Sequence, residues 1–428
     1  MSGEKNGQVL IVGAGASGMM AAVWAARSGA RPLLLEHMDR PGKKILSTGN
    51  GRCNFTNRVQ TLDCYRCGQP DFPAAALQAF SAEETLAFFE ELGIWPKERN
   101  GYYYPNSDQA ASVREALLLE LNRLQVRMET GCQIRRLAGR EGGFLAETDR
   151  GTFEAGALIL AAGSCAAPAT GSDGSGYQLA SSLGHRIETP LPALVQLRCL
   201  EKDFRQMAGV RAEGRIQLYS GDGRGNWTWE AQDQGELQLT EYGLSGIPVF
   251  QVSRYASAAL HKGRQVKASV SFLPGFEEWE AAKFLNRRRK QLADRGAGGF
   301  LNGLLNQKLG LTLLYRAGIR PEEPVSRIPK EAWEALVRQI TSFEAHVTGT
   351  NSFEQAQVCC GGVDVRQVCP ETMESRLAPG LFFAGEILDV DGICGGYNLQ
   401  WAWSSGRLAG ICAAKAALER KTGKERKR

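Results

Sequence analysis

Val9-Leu10-Ile11-Val12-Gly13-Ala14-Gly15-Ala16-Ser17-Gly18 is the stretch whose reading decides the fold, because four apolar residues run straight into a G-x-G-x-x-G spacing. Residues 19–26 are good helix formers, and an apolar run at 33–35 ends at Glu36. The order is strand, tight turn, helix, strand, one βαβ unit. Gly13 suits the turn, Gly15 lets backbone approach a diphosphate, and Gly18 lets the helix pack against the strand. N–H groups at a helix start have no partner within the helix, so Ala16 and Ser17 would present them to phosphate. Glu36, 18 residues beyond Gly18, is placed to accept both hydrogen bonds of a ribose diol, and its charge disfavours a 2′-phosphate. These residues predict a dinucleotide site. They do not separate FAD from NAD.

The other end of the chain separates them. Gly380-Leu381-Phe382-Phe383-Ala384-Gly385-Glu386 reads as a strand entering a glycine and an acid, and Gly395-Gly396-Tyr397-Asn398-Leu399-Gln400 opens a helix running to about residue 418. A second strand and a second helix start suit a two-part cofactor. The acid can hold ribityl hydroxyls, and the helix end can stabilise negative charge on a reduced flavin. A nicotinamide dehydrogenase has no need of that second site, so FAD is predicted. The run Gly171-Ser172-Asp173-Gly174-Ser175-Gly176 has differently spaced glycines and begins too soon after the apolar strand at 157–162 to be a second Rossmann unit. NAD(P)H is therefore expected as a transient reductant that alternates with substrate.

Between these ends the pattern changes. Helical periodicity appears at 82–92 and 113–124, and short strand-like runs fill 127–162. From 190 to 240 the runs alternate, with Gly-rich turns at 220–225. Residues 277–295 are charged and helical, and 300–317 is Leu-rich with Gly interruptions. The predicted architecture is α/β: a split Rossmann-type FAD-binding domain from 1–189 and 350–428, carrying an insert at 190–349. The insert is expected to be β-barrel-like over 190–275 and 320–349, with a small helical unit over 276–319.

Three strings carry a family resemblance. They are Ser47-Thr48-Gly49-Asn50-Gly51-Arg52-Cys53-Asn54, then Glu241-Tyr242-Gly243-Leu244-Ser245-Gly246, then residues 388–406 with Asp389-Val390-Asp391-Gly392-Ile393-Cys394. With them the chain resembles the BaiN-like, or YhiN-type, flavoproteins over nearly its whole length. The resemblance implies a two-lobed FAD domain with a barrel-like and a helical insert. It also implies that Lys43, Ser47, Gly49, Arg52, Cys53 and Asn54 line the flavin, and that Gly385, Glu386, Asp389, Asn398, Leu399 and Gln400 complete the site. Ile134, Ala162 and Gly163 are further cofactor candidates. Ala161-Ala162-Gly163-Ser164 departs from the Ala-Thr-Gly-Gly frequent in relatives, which removes one possible hydrogen bond.

The resemblance further implies reduction of an activated C=C in an apolar carbonyl compound, such as the Δ4 and Δ6 alkenes of 3-oxo bile acids, where the ketone absorbs developing negative charge. Tyr397, Arg52 and Tyr242 are the candidate catalytic residues. A tyrosine could protonate the substrate as hydride arrives, although each is otherwise an ordinary packing aromatic. Two rival readings stay open: an FAD-dependent amine oxidase using O₂, and a non-catalytic dinucleotide-fold binding protein.

Composition excludes several other classes. His37, His185, His261 and His346 are scattered and define neither a metal cluster nor a hydrolase triad. Cys64-x-x-Cys67 lacks the second pair a zinc site needs, so no metal is expected. Eleven cysteines at irregular spacing do not suggest a disulfide framework, which points to a reducing cytoplasm. The chain carries a net charge of +5, of which the last ten residues, with six Lys or Arg against two Glu, supply most. That tail reads as a solvated terminus, so no nucleic-acid partner is expected. No signal peptide or transmembrane span is read, and nothing in the sequence addresses the oligomeric state.

Overall fold

A computed structural model describes residues 7–425, so the last three residues of the basic tail lie outside the described region. The chain divides into two compact units, Met1–Pro190 with Val358–Arg428, and Leu191–Gln357. Each has its own apolar core.

The first unit is organised by a five-stranded parallel sheet in the order Leu381–Phe383, Ala157–Leu160, Gln8–Val12, Arg31–Leu35, Arg127–Glu129. Its inner strands and the edge strand Leu381–Phe383 include unbroken apolar runs because both faces are covered, and Val9 to Ile11, Leu158 to Leu160 and Leu381 to Phe383 are buried. The sequence-distant strand Leu381–Phe383 docks in register on Leu158–Leu160, so both ends of the chain build one sheet. Helix Ala16–Arg27 crosses from the first strand to the second. Helix Tyr397–Glu425 packs along it. Gly406 and Gly410 let the two helix backbones meet, since a Cβ at either would lie 2.5 and 2.4 Å from the carbonyl oxygens of Ser17 and Ala21.

The second unit is built on a closed antiparallel barrel in the order Leu197–Cys199, Gly243–Ser245, Trp227–Thr240, Arg211–Gly221, Gln265–Ser271, Phe343–Thr350. Alternate residues such as Ile216 and Leu218 point inward. Helix Ile247–His261 packs on this barrel inside the stretch expected to be β-rich.

The helical part of the insert also extends further than the sequence reading placed it. It comprises Glu278–Gln291, Ala297–Leu301, Gln307–Arg316 and Lys330–Thr341, so only Phe343–Thr350 of the region 320–349 is strand. Trp333, Leu336 and Ile340 recur at helical spacing and bury one face of the last helix, which overrides any β tendency there. Among the described residues no helix is long and apolar enough to cross a membrane.

Candidate functional site

The first unit gathers a two-ended site at the carboxyl edge of its parallel sheet, where open α/β sheets bind ligands. At one end, Gly13 N–H donates to Leu35 O at 2.8 Å and the backbone turns at φ +97°. A Cβ on Gly18 would sit 1.8 Å from Gly13 O, so helix and turn touch backbone to backbone. Gly15 caps helix Ala16–Arg27 with no side-chain hydrogen bond and no acid in the first turn, and space above its Cα is open. The positive end of the helix is thus not neutralised by the protein.

Beside it Glu36 is buried and held by two amides, Ala14 N–H at 2.7 Å and Met38 N–H at 2.8 Å. Each carboxylate oxygen keeps a lone pair for another donor. Ile134 opens the neighbouring strand Ile134–Arg140, half-buried, two residues after Cys132 donates its N–H to Glu36 O.

The other end meets the first directly. Ser17 donates its hydroxyl to Ala384 O at 3.2 Å, and Gly385, at φ +78°, would place a Cβ 2.4 Å from Ser17 Oγ. Gly385 N–H bonds Ser405 Oγ at 2.9 Å, and Trp401 Nε1 donates to Gly385 O at 3.1 Å. Ser17 O also touches Gly406, and Asn398 lies eight residues before Gly406 on the same helix. At 1.5 Å rise per residue the two helix starts are about 12 Å apart.

A polar loop joins them. Gly49 and Asn50 adopt left-handed conformations, as does buried Cys53 at φ +59°. The Asn54 amide, oriented with its nitrogen facing Thr56 O (2.9 Å) and Tyr103 O (3.1 Å), accepts from Gly396 N–H at 3.2 Å. Asn57 Nδ2 donates to Gly395 O at 2.8 Å. The loop is therefore tied to the start of the terminal helix.

Several expected site residues sit differently from their anticipated roles. Lys43 pairs with Asp39 at 3.2 Å, whereas Lys44 pairs with Glu386 at 2.6 Å. Gln400 is fully buried: it accepts from Thr56 Oγ1 and donates to Phe80 O, Thr85 Oγ1 and Ser404 Oγ. Buried among these partners, the Gln400 side chain ties the terminal helix to Thr56, Phe80 and Thr85. Asn398 clamps Gly392 through both N–H and C=O, which leaves its own first-turn backbone N–H for a ligand. Asp389 accepts from Gly361 N–H and Gly68 N–H, and so fixes the backbone around the site.

Burial pushes the Cys53 thiol up to about 12, which makes it a packing residue and not a nucleophile. Tyr397 is buried edge-on against Tyr65, and burial together with Cys64 holds its hydroxyl well above the ordinary tyrosine range. Arg52 and Ser47 are exposed, while Ala162, Gly163 and Leu399 are half-buried. Tyr242 belongs to the second unit, where its hydroxyl accepts from Asn351 Nδ2 at 3.1 Å and its ring lies beneath the Arg198 guanidinium.

Sequence reading missed Lys44 and Ser164, both of which converge on Glu386 Oε2, Ser164 at 3.1 Å. It also missed Ser405, although the Gly406 and Gly410 spacing beside it was a visible sign of close helix packing. Among the described residues no group of three or more His, Cys, Asp or Glu side chains is placed to hold a metal ion.

A split parallel Rossmann unit with two converging helix starts and a barrel-and-helix insert defines a dinucleotide-binding protein of α/β class. The chain belongs to the HI0933-like Rossmann family, whose profile matches residues 7–412. It is 45% identical over 407 residues to a 3-dehydro-bile acid delta(4,6)-reductase of Clostridium scindens, covering 95% of this chain and 98% of that one. It is 30% identical over 400 residues to a ribosomal RNA dihydrouridine synthase of Escherichia coli, covering 92% and 95%. The protein of that name from Haemophilus influenzae is 30% identical over 403 residues, covering 92% and 96%.

Proposed function

We propose that this protein is an FAD-dependent oxidoreductase that reduces a C=C bond conjugated to a carbonyl, with NAD(P)H as transient electron source. The convergence of the two helix starts, seen in the Ser17 contact with Gly385, carries the reading. The residues fit FAD: the uncapped helix start at Gly15 to Ser17 would take the diphosphate, and Glu36 the adenosine ribose. Glu386 and the first-turn amides near Asn398 would take the ribityl and ring end. When bound, the flavin supplies hydride to the alkene carbon and accepts it from the nicotinamide.

The chain's own residues do the rest. Glu36 orients the ribose, and Lys44 balances the charge of Glu386. The unneutralised helix ends favour the anionic groups of the cofactor. Arg52, exposed on the loop, is proposed to hold the substrate carbonyl and stabilise the enolate-like charge that develops there. Tyr397 keeps its proton at neutral pH, which suits a donor of hydrogen bonds better than a general acid.

For substrate class, the relative at 45% identity supports a 3-oxo-Δ4 or Δ6 bile acid or similar apolar enone. A second reading has its own support in the two ribosomal RNA dihydrouridine synthases, because the uracil C5=C6 bond is conjugated to a carbonyl in the same way. That reading, unlike the first, requires a nucleic-acid partner.

One experiment tests both. The purified protein should show a flavin spectrum that NAD(P)H bleaches without oxygen. A 3-oxo-Δ4 bile acid should then restore it, and ribosomal RNA lacking dihydrouridine should not. Restoration by the RNA alone would transfer the assignment to the second reading. Bleaching by an amine with no nicotinamide would favour an oxidase, and a colourless protein with no flavin released by acid would sink the enzyme reading.

A further inference from the structure

The string at 241–246 belongs to the second unit, and the proposed reaction leaves it without a role. Its strand Gly243–Ser245 pairs with Leu197–Cys199, which pairs in turn with Phe343–Thr350. Arg198 therefore has a glycine opposite it on both sides, Gly243 and Gly349. Directly opposed residues of an antiparallel pair share a face, and a Cβ on Gly349 would meet nothing within 4 Å. The Arg198 side chain is exposed and has open space beside it.

It is nevertheless held. Arg198 Nη1 donates to Asn351 Oδ1 at 3.2 Å, and the guanidinium lies 5.3 Å from the centre of the Tyr242 ring. Asn351 is buried and fixed in turn. Its backbone N–H bonds Gln196 O at 3.0 Å, while its Nδ2 donates to Gln196 Oε1 at 3.3 Å and to the Tyr242 hydroxyl at 3.1 Å. The Tyr242 oxygen accepts from that amide, so its own proton remains to be donated. Among the described residues no acceptor takes that proton and no carboxylate pairs with Arg198. Glu201 is engaged by His346 at 2.8 Å, and Glu241 is exposed.

We propose that Arg198, Tyr242 and Asn351 form a site on the second unit that recognises the carboxylate of an apolar acid. With Nη1 tied to Asn351, the guanidinium keeps Nε–H and Nη2–H as a planar fork that matches the two oxygens of a carboxylate. The Tyr242 O–H supplies one more donor. One cation and one hydroxyl match a single negative charge, whereas a phosphate dianion would leave charge unbalanced. Asn351 and the Tyr242 ring hold the fork before the ligand arrives, which lowers the side-chain entropy lost on binding. Tyr242 is thereby a substrate-binding residue and not a proton donor. The inference rests on the bile-acid reading for the body that carries the carboxylate, while the site itself is read by binding alone.

The probes are a 3-oxo-Δ4 bile acid with a free side-chain carboxylate and its methyl ester, titrated calorimetrically into the full-length protein without nicotinamide. The acid should bind wild type at least about 10-fold tighter than the ester. Arg198→Leu should weaken the acid by about 10- to 100-fold and leave the ester within twofold. Tyr242→Phe keeps the ring beneath the guanidinium and removes only the hydroxyl, so it should cost the acid about 3- to 10-fold and the ester nothing. Equal affinity of acid and ester for wild type, equal losses of both in Arg198→Leu, or displacement of the acid by inorganic phosphate at lower concentration than by acetate would overturn the proposal. If a variant fails to fold, the comparison of acid with ester on wild type decides alone. Acid and ester that bind equally and both reoxidise the reduced flavin would remove the site and keep the reaction. Arg198-dependent binding of an acid that never reoxidises the flavin would remove the reaction and keep the site, and binding of neither probe would overturn both.

Discussion

Glu36 gives the sharpest test of the cofactor end. In the structure its carboxylate serves two amides, Ala14 N–H at 2.7 Å in a fully buried setting and Met38 N–H at 2.8 Å in a partly buried one. Hydrogen bonds to a charged acceptor contribute about 1.5–3 kcal/mol each. The Ala14 bond deserves that full range, and the more solvated Met38 bond about half of it. Glu36→Ala should therefore destabilise the cofactor-free protein by about 2–4 kcal/mol, which thermal unfolding will show. Glu36→Gln should lose about half as much, because one amide oxygen remains while the new NH₂ faces a donor.

Neither loss involves the ribose. If Glu36 also accepts from the ribose diol, the same substitutions remove a further ~1.5–3 kcal/mol from binding alone, so FAD affinity should fall roughly 10- to 150-fold. Flavin fluorescence titration of the folded variant, at a temperature well below its midpoint, isolates that part. A variant that is destabilised as expected but binds FAD within twofold of wild type would refute the ribose assignment and leave Glu36 as a turn clamp.

Three further expectations test other links in the argument. Gly385→Ala combines a left-handed φ of +78° with a contact 2.4 Å from Ser17 Oγ, so it should abolish flavin retention. Ser17→Gly in the same chain should partly restore it, and no restoration would mean the contact is not what positions the site. Gln400→Leu leaves the buried Thr56 and Thr85 hydroxyls without this partner, while Ser404 Oγ still donates to Phe80 O, a cost of about 3–5 kcal/mol, checked by chemical denaturation.

Glu120, buried against Arg27 at 2.6 Å and bonded also to Arg123, has its carboxyl held below the ordinary 4.5, first by the Arg123 hydrogen bond. A depressed carboxyl contributes stability above its unfolded value and loses it as pH falls through the folded one. Glu120→Gln should accordingly cost about 2–3 kcal/mol at pH 7 and progressively less below pH 4.5. A difference that stays constant with pH would show that the pair's charge is not what stabilises it.

What was legible in the sequence follows from which interactions are local. The first βαβ unit could be read because a parallel strand covered on both faces must be an unbroken apolar run, and because the glycines at 13, 15 and 18 keep a recognisable spacing between that strand and the helix that follows. The strand at 381–383 could be read for the same reason, but its partner, Leu158 to Leu160, could not, since no local pattern encodes which strand it joins. Lys43 and Lys44 show the limit at the finest scale. Side chains on consecutive helix positions point about 100° apart. Only the docking of the helix Lys43–Ser47 decides which of the two meets Glu386.

The last helix of the insert was a different kind of miss, because Trp333, Leu336 and Ile340 carried a helical period that a count would have found.

The site residues divide along the same line, and the division says something about how the site is built. Residues that present backbone to a ligand, the glycines and the first helical turns, announce themselves by composition, because no other side chain permits the approach. Residues that hold the charge of Glu386, Lys44 and Ser164, are ordinary polar residues drawn to it from positions as much as 342 apart. Their role exists only after the two ends of the chain have joined one sheet. Correct pairing of Leu381–Phe383 with the central strands is thus a precondition for a charge-balanced Glu386, and a cofactor that bridges both helix starts would stabilise that pairing by binding only the joined state. Cofactor loading should therefore raise the unfolding temperature of the first unit's sheet while leaving the barrel, with its separate core, unchanged. Hydrogen exchange resolved by segment would show protection gained in 8–12, 157–160 and 381–383 and none in 211–221. Equal gains in both units would mean that the cofactor stabilises the chain by some route other than closing the split sheet.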